Sequence, residues 1–214
     1  MGTIRLDDLF SHVSGFRSDL LKEQVQWALA EAARKVARDS NILIDEVVFT
    51  VEEDEYRHTI ALPNQRVVGT VKKVERYDND LGCWIKLRGP FAYRVEGADI
   101  TANESCTPDS FGNVGGVILF GAPSDDQYPM RATVSYIPAP YPVPVEIDFP
   151  GVAEDAIVAW AESLVWRIAG KGQNMQLSHS AKTAYEAAIS GVCLVARDGE
   201  GAQRTVNDWL PFEA

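Results

Sequence analysis

The chain has 214 residues, 46% of them hydrophobic and 24% charged, a balance that excludes wholesale disorder and is enough for one large or two small cores. Its formal net charge of −11 excludes the basic surface that counterion-driven phosphate binding needs, and so argues against a sequence-reading DNA-binding protein. Cys83, Cys106 and Cys193 are far apart and not at metal-ligand spacing, so neither a disulfide framework nor a metal centre is expected.

The opening MGTIRLDDLF has no basic stretch leading into an apolar one, and no apolar run approaches the roughly 20 residues that span a bilayer. A soluble chain made in the cytoplasm is expected, with no membrane partner. The first predicted element is an amphipathic helix over residues 18–38. Leu21, Val25, Ala28, Leu29, Ala32 and Val36 fall on one face, Ser18 stands as N-cap, Asp19 in the first turn, and Arg34, Lys35 and Arg38 near the other end.

From residue 45 the apolar period changes from helical to alternating, as in Val47, Phe49 and Val51. Strands are expected at 47–51 and 58–62, another begins with 67–71, and more are expected at Trp84–Leu87, Ala92–Val95, Val117–Phe120 and Ala132–Ile137. Asn79-Asp80, Gly89-Pro90, Gly112-Asn113 and Gly115-Gly116 supply the turns between them. Short strands at this spacing predict an antiparallel β-sandwich or barrel-like domain over 45–138.

The segment 138–150 carries five prolines and is expected to be extended, with 139–150 forming a linker. A helix follows it on Ala153, Ala156, Ile157, Trp160, Ala161, Leu164, Val165 and Ile168, with Pro150 before it and Gly170 as its stop. After GKGQN, Ser180 is expected to cap a second helix on Ala181, Ala184, Tyr185, Ala188, Ile189 and Val192. The pair, within 151–198, reads as an αα-hairpin, and 199–214 as an extended C-terminal arm. The fold class expected is therefore α+β: a helical bundle of residues 1–44 and the C-terminal hairpin, with the β domain inserted.

Catalytic signatures are absent from the sequence. His12, His58 and His179 stand apart from one another and from the cysteines, and no G-x-S-x-G elbow is present. Gly170-Lys171-Gly172 follows a helix instead of a strand, so it reads as a helix stop and not as a phosphate loop. Glu52-Glu53-Asp54-Glu55 lacks the alternating ligands and central glycine of a calcium loop and reads as a solvated turn. No catalytic residue, cofactor or metal is expected. An enzyme would need His58 to meet carboxylates in the fold.

The informative side chains are aromatic. Trp160 lies on an apolar helical face and is expected in the core, whereas Trp27 and Trp166 lie off their helices' apolar faces. Either the β zone covers them within the chain, or they anchor a subunit interface, where tryptophan is enriched. The same choice applies to Val206, Trp209, Leu210 and Phe212 in the tail. A competing expectation is a carbohydrate-binding β-sandwich using Trp84, Phe91 and Tyr93.

The order of the pieces resembles a known family. The N-terminal helix runs straight into VEEDEYRHTIALPNQRVVGTVKKVERY, then a β insertion, a proline-rich exit, and the helices EDAIVAWAESLVWRIAGKGQ and SAKTAYEAAISGV. This looks like the head-to-tail adaptor (connector or neck) proteins of tailed bacteriophages, over the N-terminal third and the last third of the chain. The Pro-Trp pair often seen between the two C-terminal helices of that family is missing here. The resemblance implies a non-enzymatic virion protein at the head–tail junction, assembled as a ring, typically a dodecamer. It also implies contact with a portal protein and with a tail, nozzle or tail-terminator protein, with DNA passing the channel non-specifically. Trp27, Trp166, Val206, Trp209, Leu210 and Phe212 would then serve portal or subunit interfaces.

Overall fold

The computed structural model describes residues 3–54, 57–87, 93–96, 117–120, 127–142 and 149–207. In chain order the elements are β1 (Thr3–Ile4), α1 (Leu6–Phe16), α2 (Lys22–Ser40), β2 (Ile44–Val51), β3 (Arg57–Thr59), β4 (Val67–Asp78) and β5 (Cys83–Lys86). They continue with β6 (Tyr93–Glu96), β7 (Val117–Phe120), β8 (Tyr128–Ile137), β9 (Phe149–Pro150), a 3-10 turn (Gly151–Ala153), α3 (Glu154–Val165) and α4 (Met175–Asn207). The protein is α+β and divides into two units, Met1–Ile42 with Pro140–Ala214, and Leu43–Ala139.

The first unit joins the two ends of the chain. β1 pairs antiparallel with β9, and α3 packs on α1, α2 and α4. α1 was not expected. Its three buried residues, Leu6, Leu9 and Val13, form a stripe too short to stand out in the sequence, with Asp7 and Asp8 in the first turn where the helix dipole favours them.

α2 begins at Lys22 instead of 18, with Leu21 as N-cap in place of Ser18; the Gln24 side chain accepts the Leu21 N–H at 2.9 Å. It ends where Asn41 turns left-handed, φ 53°, and its N–H closes on the Ala37 carbonyl at 2.9 Å. Ala28, Ala32, Ala33 and Ala37 are buried on α2, and Ala156 and Ala161 on α3. Side chains this small let helix axes approach to about 8 Å, the short end of the usual range.

α4 also differs from expectation. It starts at Met175, not beyond Ser180, because the Asn174 side-chain oxygen accepts the N–H groups of Gln176 and Leu177 at 3.0 and 3.1 Å. Its buried positions Ala181, Tyr185, Val192 and Ala196 repeat at intervals of four and seven residues, the stripe of a packed helix. The helix runs to Asn207, so residues 199–207 are helical and the extended arm expected over 199–214 is corrected there; residues 208–214 lie outside the described ones.

The second unit holds a four-stranded antiparallel sheet in the order β2-β8-β4-β5 and a three-stranded one in the order β3-β7-β6. β8 is the centre: Ala132 faces Val47 on β2 and Val74 on β4. One core takes Val51, Val68, Val74, Met130, Ala132 and Val134 from the first sheet, Ile118 from the second, and Ile60 just past β3. The strand expected to begin with 67–71 does begin at Val67 and runs to Asp78, and register shifts between Val68 and Thr70 and between Val71 and Lys73 bend it.

Ile157 is fully buried on α3, whereas Leu194 on α4 is 59% exposed. Ile157→Ala is expected to cost about 2–5 kcal/mol of unfolding free energy, and Leu194→Ala less than about 0.5, both measured by urea denaturation.

Candidate assembly surface

The end of the helical unit where α2 begins is organised by a buried arginine. Arg17 follows α1 directly and its side chain is 1% exposed. Its Nε and Nη2 donate to the two carboxylate oxygens of Asp19 at 3.0 and 2.6 Å, and Nη1 donates to the carbonyls of Val165 and Ile168 at 3.2 and 2.7 Å. The planar fork suits this geometry: one edge grips a carboxylate, while the other donates to carbonyls at the end of α3, of which Val165 also accepts the Ile168 N–H at 3.3 Å. Asp19 also lies against Gly172, where an added Cβ would stand 3.2 Å from its Oδ1, and the hydrogen bonds from Arg17 hold its carboxyl below the ordinary range.

Gly170-Lys171-Gly172 is thereby explained differently from a simple helix stop. α3 already ends at Val165, and the glycines wrap the guanidinium. A Cβ on Gly172 would stand 2.7 Å from the Arg17 Nε, and Gly170 has φ +148°, a backbone that side chains rarely adopt. The Asp19 carboxylate is spent on this contact, which is why the helix start expected at residue 18 moves to Lys22.

Because Asp19 touches Gly172, the first turns of α2 and α4 lie at one end of the unit. Leu21, Met175 and Leu177 there are 66%, 59% and 42% exposed. Trp166, half-buried, sits between them in sequence: its carbonyl accepts the Asn174 N–H at 3.0 Å and its indole donates to Glu162 at 3.1 Å. Exposed Lys22, Arg167 and Lys171 flank the same turns in sequence, together with exposed Glu23 and the Asp19 carboxylate that Arg17 holds. The result is a crown of open apolar side chains with charged residues of both signs beside it, three basic and two acidic.

Further along the bundle, a polar knot ties α2, α3 and α4. The Tyr185 hydroxyl donates to Asp39 at 2.5 Å, Lys35 pairs with Asp39 at 2.7 Å, and the Trp160 and Tyr185 rings meet at 4.8 Å. Burial, and then the Asp39 bond, push the Tyr185 phenol far above its usual range. Trp160, expected in the core, is half-buried with Lys35 5.3 Å above its ring. The phenol is a locked donor, suited to holding helices together. Trp27 on α2 stays 38% exposed, and Leu194 on α4 is open too.

In the β unit, Trp84 is half-buried, edge-on to Tyr77 at 5.3 Å, with the Arg131 guanidinium 4.8 Å over its ring. Arg131 also bonds the buried Glu75 at 2.7 Å, so the ring face that a sugar would stack on is engaged within the chain. Phe91 lies outside the described residues, and nothing is described of the Tyr93 side chain. His58 stacks on Phe49 at 4.1 Å, and Glu52 to Asp54 occupy an exposed turn. Among the described residues no group of three His, Cys, Asp or Glu could hold a metal, and no helix is long and apolar enough to cross a membrane.

Of the residues singled out in the sequence, the structure places Trp166 at the crown and Trp27 elsewhere on the helical unit. Val206 is in the last turn of α4, while Trp209, Leu210 and Phe212 lie outside the described residues. Leu21, Met175 and Leu177 were missed because Leu21 was counted to a buried stripe and the other two were placed in a loop. No protein-family model matches the chain, and no curated protein matches it.

Asp19 titrates below its ordinary 3.8, so the stability it contributes is complete above that value and is lost as pH falls through the lower folded-state value. Asp19→Asn should therefore lower Tm at pH 7 and flatten the loss of Tm on acidification below pH 4, measured by calorimetry across pH. Gly172→Ala should lower Tm at every pH. Gly191→Ala, in α4 with nothing within 4 Å of the new Cβ, should raise stability by about 1 kcal/mol.

Proposed function

We propose that the chain is a head-to-tail adaptor subunit of a tailed bacteriophage, a structural protein of the virion made in the host cytoplasm. Copies of it would assemble as a ring beneath the portal, typically a dodecamer, joining capsid to tail and lining the DNA channel. The helical unit is then the ring-building bundle, and the β unit a sandwich-like insertion that meets neighbours or the next layer. Portal protein and a tail, nozzle or tail-terminator protein are its partners, and it performs no catalysis.

The observation that carries this reading is the exposure of large apolar side chains at separate places on one helical unit: the crown of Leu21, Met175 and Leu177, Trp27 on α2, and Leu194 on α4. Rings close through two different faces of each subunit, and a chain built for them must keep both apolar and open until it meets its neighbours. The charge agrees with it, since an acidic surface lets DNA slide past without sticking. So does the chain path, which brings both termini into one helical unit and leaves the β unit between them as an insertion.

The test is to mix the purified protein with the cognate portal and examine it by native mass spectrometry and negative-stain imaging. Rings stacked on the portal are expected, and Trp27→Ala should reduce their occupancy with Tm unchanged. A protein that leaves the portal bare at every concentration overturns the reading.

A further inference from the structure

We infer that the apolar crown at the start of α2 and α4 is the receptor for the C-terminal segment Asp208–Ala214 of a second copy of this chain. The inference rests on the self-assembly part of the reading above.

Reach decides between the chain's own segment and a neighbour's. Residues 208–214 follow α4 directly, and α4 is a single helix of 33 residues. At about 1.5 Å per residue, Leu177 lies about 45 Å along the axis from Asn207. A fully extended chain gains at most about 3.5 Å per residue, so Trp209 reaches about 7 Å beyond Asn207 and Phe212 about 18 Å. Neither can return to the crown of its own subunit. A crown filled by these side chains is filled from another copy, in a contact that uses opposite ends of α4 on the two partners. That is a heterologous, head-to-tail contact, the kind that closes rings.

Chemistry favours the same occupant. The segment DWLPFEA carries Trp209, Leu210 and Phe212, with Asp208 and Glu213 on either side of them. The crown presents Leu21, Trp166, Met175 and Leu177, flanked in the chain by Lys22, Arg167 and Lys171, against which stand Glu23 and an Asp19 already paired with Arg17. Arg167 is held in place by its Nε bond to the Ser178 hydroxyl at 2.9 Å. Apolar anchors then meet apolar side chains, and acidic flanks meet these basic residues and the positive ends of two helices. Pro211 limits the conformations of the free segment and so the entropy lost on docking.

The test uses the full-length chain carrying Trp209→Ala and Phe212→Ala, so that the segments of other copies do not compete. A fluorescent peptide of residues 205–214 is titrated into it and followed by anisotropy. Saturable binding is expected, weakened at least tenfold by adding Met175→Asp with Leu177→Asp. Lys22→Glu, a milder change at an exposed position, should weaken it about threefold, with folding verified by circular dichroism. Absence of saturable binding, or binding that neither set of crown changes weakens, overturns the inference. Portal-ring formation is scored separately with the unmodified chain. Rings without peptide binding remove this contact and leave the adaptor reading standing, whereas peptide binding without rings keeps the contact and removes the adaptor.

Discussion

The guanidinium of Arg17 holds together segments that are 148 residues apart in the chain, and the helical unit is arranged around it. A buried arginine is tolerable only when its donors are satisfied and its charge is matched. Here Asp19 matches the charge, and the carbonyls ending α3 take the donors on the other edge. The loop from α3 to α4 can close over this group only because residues 170 and 172 are glycine. One contact thus fixes where α2 starts, how α3 ends, and where α4 leaves.

That constraint has a consequence for the surface. Drawing the starts of α2 and α4 to the same end places Leu21, Met175 and Leu177 where no described element covers them. The polar knot of Lys35, Asp39 and Tyr185 works further along the bundle and holds the three helices against one another. Alanines at the helix contacts leave little room for sliding without clashes.

In the β unit, the equivalent device is the ion cluster on one face of the four-stranded sheet. Glu75 is buried beneath Arg131 and Lys73, and Arg131 in turn stacks on Trp84. The long side chains spread over the sheet and shelter the carboxylate with their own carbon stems. Of the aromatic residues that suggested a sugar platform, Trp84 is therefore engaged in supporting the sheet. The His58 ring is likewise packed flat on Phe49.

Local pattern determined a great deal. The stripes of α2 and α3, the alternation around Phe49, and the turn chemistry of the β zone are short-range properties, and the α+β class follows from them. The helical start at Lys22, the unbroken length of α4 and the extension of β4 to Asp78 were not legible. The first depends on Arg17 meeting Asp19 and Gly172, the second on Asn174 capping four residues after Gly170, and the third on bulges that break strict alternation. The crown was the least legible of all. Leu21, Met175 and Leu177 look like ordinary apolar residues until a contact across most of the chain's length brings the starts of their helices to one end, and only the tertiary structure decides which apolar side chains are left facing water.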